Sequence, residues 1–219
     1  MTAIVMDWRL DLIKAHRGLF NPRSGAPGAA QGYPDCGDGW RDILERTFAR
    51  LEAALAAGGT FRSLQIKEKY GTLRLYWSGG MSDEVEAKVK EAIDLAEARS
   101  ACTCEQCGEE GCLYRAGGVL MTRCTAHAKG QLVEVKPCLQ NLHLVQRIVQ
   151  GGARVISCCR YDRASDAFID VSPHSLGIEE ELHGEVSLPG VRRGRDVCLR
   201  RPPRLSELRL ARRAARDRH

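Results

Sequence analysis

The sequence predicts an α+β protein: a small helix-and-hairpin domain carrying a treble-clef or ribbon-like zinc finger, followed by a less regular α/β C-terminal part. Three observations carry this. Apolar residues recur at helical spacing over Gly39–Ala57, they alternate with polar ones over Phe61–Trp77, and two pairs of metal-ligand residues lie within Cys104–His127. The chain has 219 residues, 43% of them hydrophobic and 28% charged, which is enough to build a core. Aromatics are only 5%, so aliphatic side chains must fill most of it.

Trp8, Leu12 and Leu19 stand near helical spacing with charged residues between them, which predicts a short amphipathic helix over Trp8–Phe20. Gly, Pro, Ala and Asp over Asn21–Gly39 predict a loop. In the next helix, Trp40, Ile43, Leu44, Thr47, Phe48, Leu51 and Leu55 trace one face. Asp38 is placed to cap its start and Gly58-Gly59 to end it. The period then changes to two. Leu64 and Ile66, then Leu73, Leu75 and Trp77, alternate with polar residues about Tyr70-Gly71, so Phe61–Trp77 is expected to be a β-hairpin with one buried face. Ser82 suits an N-cap, with Asp83 and Glu84 favouring the helix dipole, for a helix that buries Val85, Val89, Ala92, Ile93 and Ala96 and runs to Ser100.

The finger occupies Ala101 to about Gly130. It reads Cys104-Glu105-Gln106-Cys107-Gly108 and, sixteen residues on, Cys124-Thr125-Ala126-His127. Each pair, spaced by two residues, clamps one edge of a tetrahedral ion. Gly108 allows the positive φ of a tight turn whose amides point at thiolates. Cys112–Arg115 and Val119–Arg123 are expected to form a hairpin about Gly117-Gly118, and Ala126–Lys129 to start a short helix. Cys102 and Cys112 are nearby competitors for the metal. Ligands Cys104, Cys107, Cys124 and His127 fill all four positions, so the expected ion is structural zinc.

Beyond the finger, Leu139–Val149 reads as helical through Leu142, Val145, Ile148 and Val149. Arg154–Tyr161 and Ala167–Val171 read as strands around Asp162–Asp166. The expected organisation is therefore a body over residues 1–100, the finger over 101–130, a small α+β region over 131–189 and an arginine-rich tail over 190–219. In that tail eleven arginines against Asp196, Glu207 and Asp217 leave +8, so the rest carries −3 of the total +5. If Ser206 caps a helix to Arg216, then Arg209, Arg212, Arg213 and Arg216 form a candidate polyanion-binding face. Neither a secretory signal nor a membrane span is expected, and ten cysteines without one argue for metal ligands and buried thiols in a reducing cytoplasm.

Catalytic signals are missing. The ends of the finger superficially resemble zinc-stabilised HNH endonucleases, but Gly108–Arg123 has no His, Asp or Asn to serve as base or metal ligand. Glycine-rich phosphate loops, a dinucleotide fingerprint and a nucleophile elbow are absent too. Lys67, Glu68, Lys69 and Arg74 are expected to make a solvated strand face with cross-strand ion pairs. Cys158 and Cys159 should point to opposite faces of their strand. Cys138, Cys158, Cys159 and Cys198 with His143, His174 and His183 lack metal-ligand spacing.

Taken together, Gly37-Asp38-Gly39-Trp40, the run Gln65–Tyr76 (QIKEKYGTLRLY), Ala96-Glu97-Ala98-Arg99-Ser100 and the finger resemble a family of short proteins frequent in bacteriophage, prophage and bacterial genomes. The resemblance covers about residues 8–127 and carries no assigned activity. It implies a phage or mobile-element protein in the cytoplasm of a host bacterial cell. Two function classes are expected. One is a non-enzymatic binding module that engages, and inhibits or modulates, a host or defence protein complex. The other is a protein that binds DNA or RNA through the finger and the basic tail.

Overall fold

A computed structural model describes residues 7–21, 26–148 and 154–172, all within one compact unit of the chain, Met1–Leu182. It is an α+β fold of three α-helices and three small three-stranded sheets. The helices are α1 (Trp8–Ala15), α2 (Arg41–Leu55) and α3 (Asp83–Ser100). The first sheet has β1 (Pro34–Asp35) parallel to β2 (Arg62–Lys69), which pairs antiparallel with β3 (Thr72–Ser78).

The core forms where the apolar faces meet. Trp40, Ile43, Leu44, Phe48 and Leu51 of the α2 region lie against Phe61, Ile66, Leu73 and Leu75 of the hairpin and Val85, Val89 and Ala92 of α3. Gly58 and Gly59, both at φ 111°, release the chain from α2 into β2 as their sequence predicts. Ser82 caps α3 by accepting from the Val85 amide at 3.4 Å.

Several local expectations are corrected. The first helix stops at Ala15, because His16 leaves helical geometry (φ −112°, ψ 38°). A 3₁₀ turn, Arg17–Leu19, then aims Leu19 and Phe20 inward, and Phe20 stacks on Phe48 at 4.8 Å. Asp38 does not cap α2. Its carboxylate accepts from Trp8 Nε1 at 2.9 Å and pairs with Arg9 at 2.8 Å, and a 3₁₀ turn, Asp38–Trp40, leads into the helix instead. Leu64 is 42% exposed while Ser63 is buried, because a bulge between Ser63 and Gln65 shifts the alternation by one residue. Cross-strand ion pairs on the hairpin face do not form. Lys67 stands opposite Arg74, Arg74 pairs with Glu97 of α3, and the Lys67 and Lys69 ammonium groups lie over the rings of Tyr76 and Tyr70.

The second sheet is the finger's own: β4 (Cys112–Ala116) between β5 (Val119–Arg123) and β6 (Gln131–Leu132). Its β4–β5 turn is Gly117-Gly118, at φ 53° and 86°, with nothing within 4 Å of where either Cβ would stand. The third sheet orders β7 (Leu142–Ile148), β8 (Arg154–Asp162) and β9 (Ala167–Asp170). The last two strands match expectation, but Leu142–Ile148 is a strand, not a helix; Val149 lies outside the described residues. The three-residue spacing of Leu142, Val145 and Ile148 suits one helix face, whereas the antiparallel pairing along all of β7 makes it a strand and puts Leu142 and Val145 on opposite faces. Cys159 is buried and Cys158 partly exposed, on opposite faces as expected.

Tyr161 and Phe168 of the third sheet close a second core cluster with Leu95, Ala98 and Cys102. A buried polar cluster reinforces the contact. Asp166 accepts from Tyr161 Oη at 2.6 Å and from Arg50 of α2 at 2.8 Å, and Arg99 of α3 lies 3.4 Å away. Although burial raises the Asp166 carboxyl, these partners outweigh it and hold it below the usual range.

Asp94, partly buried on α3, behaves in the opposite way. Burial first, then Glu97, pushes its carboxyl up to about 6, against the pull of Lys90. A folded-state value above the unfolded one means that folding takes up a proton, so this residue costs stability above pH 6 and stops doing so as pH falls towards 4. Asp94→Asn is therefore expected to stabilise the protein at pH 8 by on the order of 2 kcal/mol, with the advantage shrinking towards pH 4. Urea unfolding at the two pH values measures this, and equal stability at pH 8 would show a well-solvated carboxylate.

Candidate metal centre

The finger begins where α3 ends. Cys102 and Thr103 turn off the helix through bonds to Arg99 and Ser100 carbonyls, which leads the chain into the loop Cys104–Gly108. That loop closes through the Gly108 amide on the Cys104 carbonyl at 2.9 Å, with Gly108 at φ 81°, the left-handed turn its sequence position requires. The β4–β5 hairpin returns the chain so that Arg123 faces Cys112 and Cys124 follows at the strand end. A single turn, His127 N to Cys124 O at 3.1 Å, then folds the imidazole back.

The four predicted ligands converge. Their donor atoms lie within 4.8 Å of one another, and among the described residues no other group of three or more His, Cys, Asp or Glu side chains does so. His127 presents Nδ1, 3.3 Å from Cys124 Sγ and 3.7 Å from Cys104 Sγ, and the Cys107 and Cys124 sulfurs are 3.6 Å apart. Thiolates about 2.3 Å from a tetrahedral ion stand about 3.8 Å from each other, so the cluster has the size of such a site.

Its electrostatics favour a metal. Burial would raise the Cys104 thiol, yet amides of Cys124, Cys107 and Gln106 aimed at its sulfur outweigh that and bring it down to about 6. The Glu109 amide pulls Cys107 down, but burial and sharing a proton with the Cys104 and Cys124 sulfurs leave it raised. Three sulfurs crowded together with one imidazole are a soft donor set that a divalent cation would relieve.

The competitors lie elsewhere. Cys102 is buried in the second core cluster, its sulfur directed at the Ala98 and Arg99 carbonyls. Cys112 is exposed on β4. Cys36 is partly buried, and burial pushes its thiol up to about 12. Cys198, His174, His183 and the arginine face of Arg209, Arg212, Arg213 and Arg216 lie outside the described residues, as does the whole segment 190–219. The helix expected to start at Ala126–Lys129 is only a turn. Gly130, at φ 84°, ends it and sends the chain into β6, which pairs with β4 through Leu132 and Gln131.

The sequence does not reveal what holds the finger. The loop Gly37–Trp40 grips it: the Gly39 amide donates to the Glu105 carbonyl at 2.8 Å, Gly37 N to Glu105 Oε1 at 2.9 Å, and Trp40 Nε1 to the Thr103 carbonyl at 3.0 Å. A Cβ on Gly39 would collide with the Cys104 carbonyl and the Cys107 and Gly108 amides. The hairpin turn Tyr70-Gly71 makes a second anchor, as Thr122 Oγ1 donates to the Gly71 carbonyl at 2.6 Å. Glycines on either side of Asp38 before a tryptophan were a signal of close backbone approach, but not of what approaches.

Among the described residues no helix is long and apolar enough to cross a membrane. A shallow groove between α2 and α3 is lined by Arg50, Lys88 and Glu91 with alanines and Leu95, and holds no nucleophile or histidine. Comparison of the chain with known protein families, with characterised proteins and with solved structures finds no match, so the convergence of Cys104, Cys107, Cys124 and His127 is the feature on which a functional reading rests.

Proposed function

We propose that Cys104, Cys107, Cys124 and His127 hold one structural zinc ion in a ribbon-like finger, and that the protein is a non-enzymatic binding module of a phage or mobile element. In this reading it acts in the cytoplasm of the host bacterial cell, where it engages and inhibits or modulates a host or defence protein complex. The observation that carries the first part is the convergence of three sulfurs and one imidazole nitrogen within 4.8 Å. Such a set suits zinc, and four protein ligands leave no position for a reactive water. The metal then serves shape rather than chemistry.

A protein partner is supported by the outward face of the third sheet. Leu144, Ile156 and Ile169 are 57%, 72% and 54% exposed there, side chains that a surface of the described residues leaves in water. A second reading, DNA or RNA as partner, is supported by Lys67 and Lys69, whose ammonium groups lie over tyrosine rings, and by the arginines of 190–219.

Metal analysis of the purified protein, followed by affinity capture from a bacterial lysate with and without nuclease, tests both parts. One equivalent of zinc and a protein complex retained after nuclease are expected. A folded, metal-free protein would remove the zinc assignment, and capture lost on nuclease treatment would transfer the function to the nucleic-acid reading.

A further inference from the structure

Glu105 is not one of the four converging side chains, yet its contacts reach both ligand pairs and the body. It sits between Cys104 and Cys107 in the sequence. Its carboxylate accepts the Gly37 amide on one oxygen and pairs with Arg123 on the other at 2.8 Å. Arg123 immediately precedes Cys124. The ion pair therefore links the first ligand pair to the second, and the Gly37 amide fastens both to the body. Both side chains are largely withdrawn from water, 12% and 15% exposed, so the pair is neither screened nor free to wander. The main chain repeats the connection. Glu105 N donates to the Thr122 carbonyl at 3.2 Å, and the Glu105 carbonyl receives the Gly39 amide at 2.8 Å.

We propose that Glu105 is the positioning residue of the metal centre, and that the loop Gly37–Trp40 is its fixed support, so that a segment more than sixty residues from the ligands forms part of the metal site. The inference rests on the metal reading above. The physical reason is alignment. Two ligand pairs from separate turns hold an ion tightly only if the folded chain keeps them at the right separation, and the Glu105–Arg123 pair holds that separation without touching the ion. Outer partners of this kind typically contribute ten- to a hundredfold in metal affinity.

The test is zinc affinity of the full chain, measured by competition with a chromophoric chelator, for the wild type, Glu105→Gln, Arg123→Gln and the double variant. Glutamine keeps the shape and one acceptor for Gly37 but removes the charged pair. Each single variant is expected to bind zinc ten- to a hundredfold more weakly. The double variant should be no weaker than the worse single one, because the two residues act as one unit. Cobalt loaded in place of zinc should give the same ligand-field bands in all four proteins, since the ligands are unchanged. Thermal unfolding of the metal-free proteins, which reads the body alone, should coincide, whereas a purely structural role would lower it in the variants. With zinc bound, the variants should melt lower in step with their weaker affinity. Zinc affinity within twofold of the wild type in Glu105→Gln would overturn this proposal alone. A wild-type protein that binds neither zinc nor cobalt would overturn it together with the reading beneath it.

Discussion

Phe48→Asp is expected to leave no folded body. Phe48 is fully buried on the inner face of α2, stacked on Phe20 at 4.8 Å and beside His16 at 5.6 Å. Removing a buried phenylalanine ring costs about 3–5 kcal/mol, and an unpaired carboxylate in the same place adds several more. Against a typical total stability of about 5–15 kcal/mol, the sum suffices to unfold the protein. Neither α2 nor the β2–β3 hairpin persists alone in water, so the loss is cooperative. Far-UV circular dichroism through a thermal ramp reads it. A cooperative melt within a few degrees of the wild type would show that α2 does not pack as described.

Cys104→Ser is the second large effect, and it is expected to be confined to one part of the molecule. Cys104 is the buried member of the four converging side chains, with its carbonyl and the neighbouring amides against Gly39. Serine is a poor zinc ligand, so the metal should be lost. In isolated finger peptides metal binding supplies about 10–16 kcal/mol and is the folding free energy. Here β4–β6 bury little apart from Thr122, whereas the main cluster of α1, α2, α3 and the hairpin has its own aliphatic and aromatic core. The expected outcome is loss of amide protection over Cys104–Leu132 with a body that still melts cooperatively. Hydrogen–deuterium exchange with and without a chelator measures it. Protection that survives both the substitution and the chelator would mean that the finger folds without metal.

What was legible in the sequence follows from how local the cause is. Helix α2 and the hairpin announce themselves because each buries a single face, and a single face imposes a period. The convergence of Cys104, Cys107, Cys124 and His127 is legible because two-residue spacing is a property of the turns that carry each pair. Five features depend on partners outside their own segment, and they were not legible. Leu142–Ile148 becomes a strand because β8 lies beside it. Leu64 turns outward because a bulge lets Ser63 and Ile66 both face inward. Asp38 serves Trp8 and Arg9 rather than the start of α2. The grip of Gly37–Trp40 on the finger joins residues 37–40 to residues 103–108, and no periodicity encodes such a meeting. The Asp166 cluster likewise fastens the third sheet to two helices that end more than sixty residues earlier.

The Gly117-Gly118 turn gives experimenters a handle. It sits at the end of the β4–β5 hairpin away from the ligand cluster, and open space surrounds both glycines. Extending a loop is entropically cheap, about 0.6 kcal/mol for each doubling of its length. A short epitope or a peptide that accepts a fluorophore can be spliced between these two residues while β4 and β5 keep their register. The finger would then carry its own reporter, set at the opposite end of the hairpin from the four converging side chains.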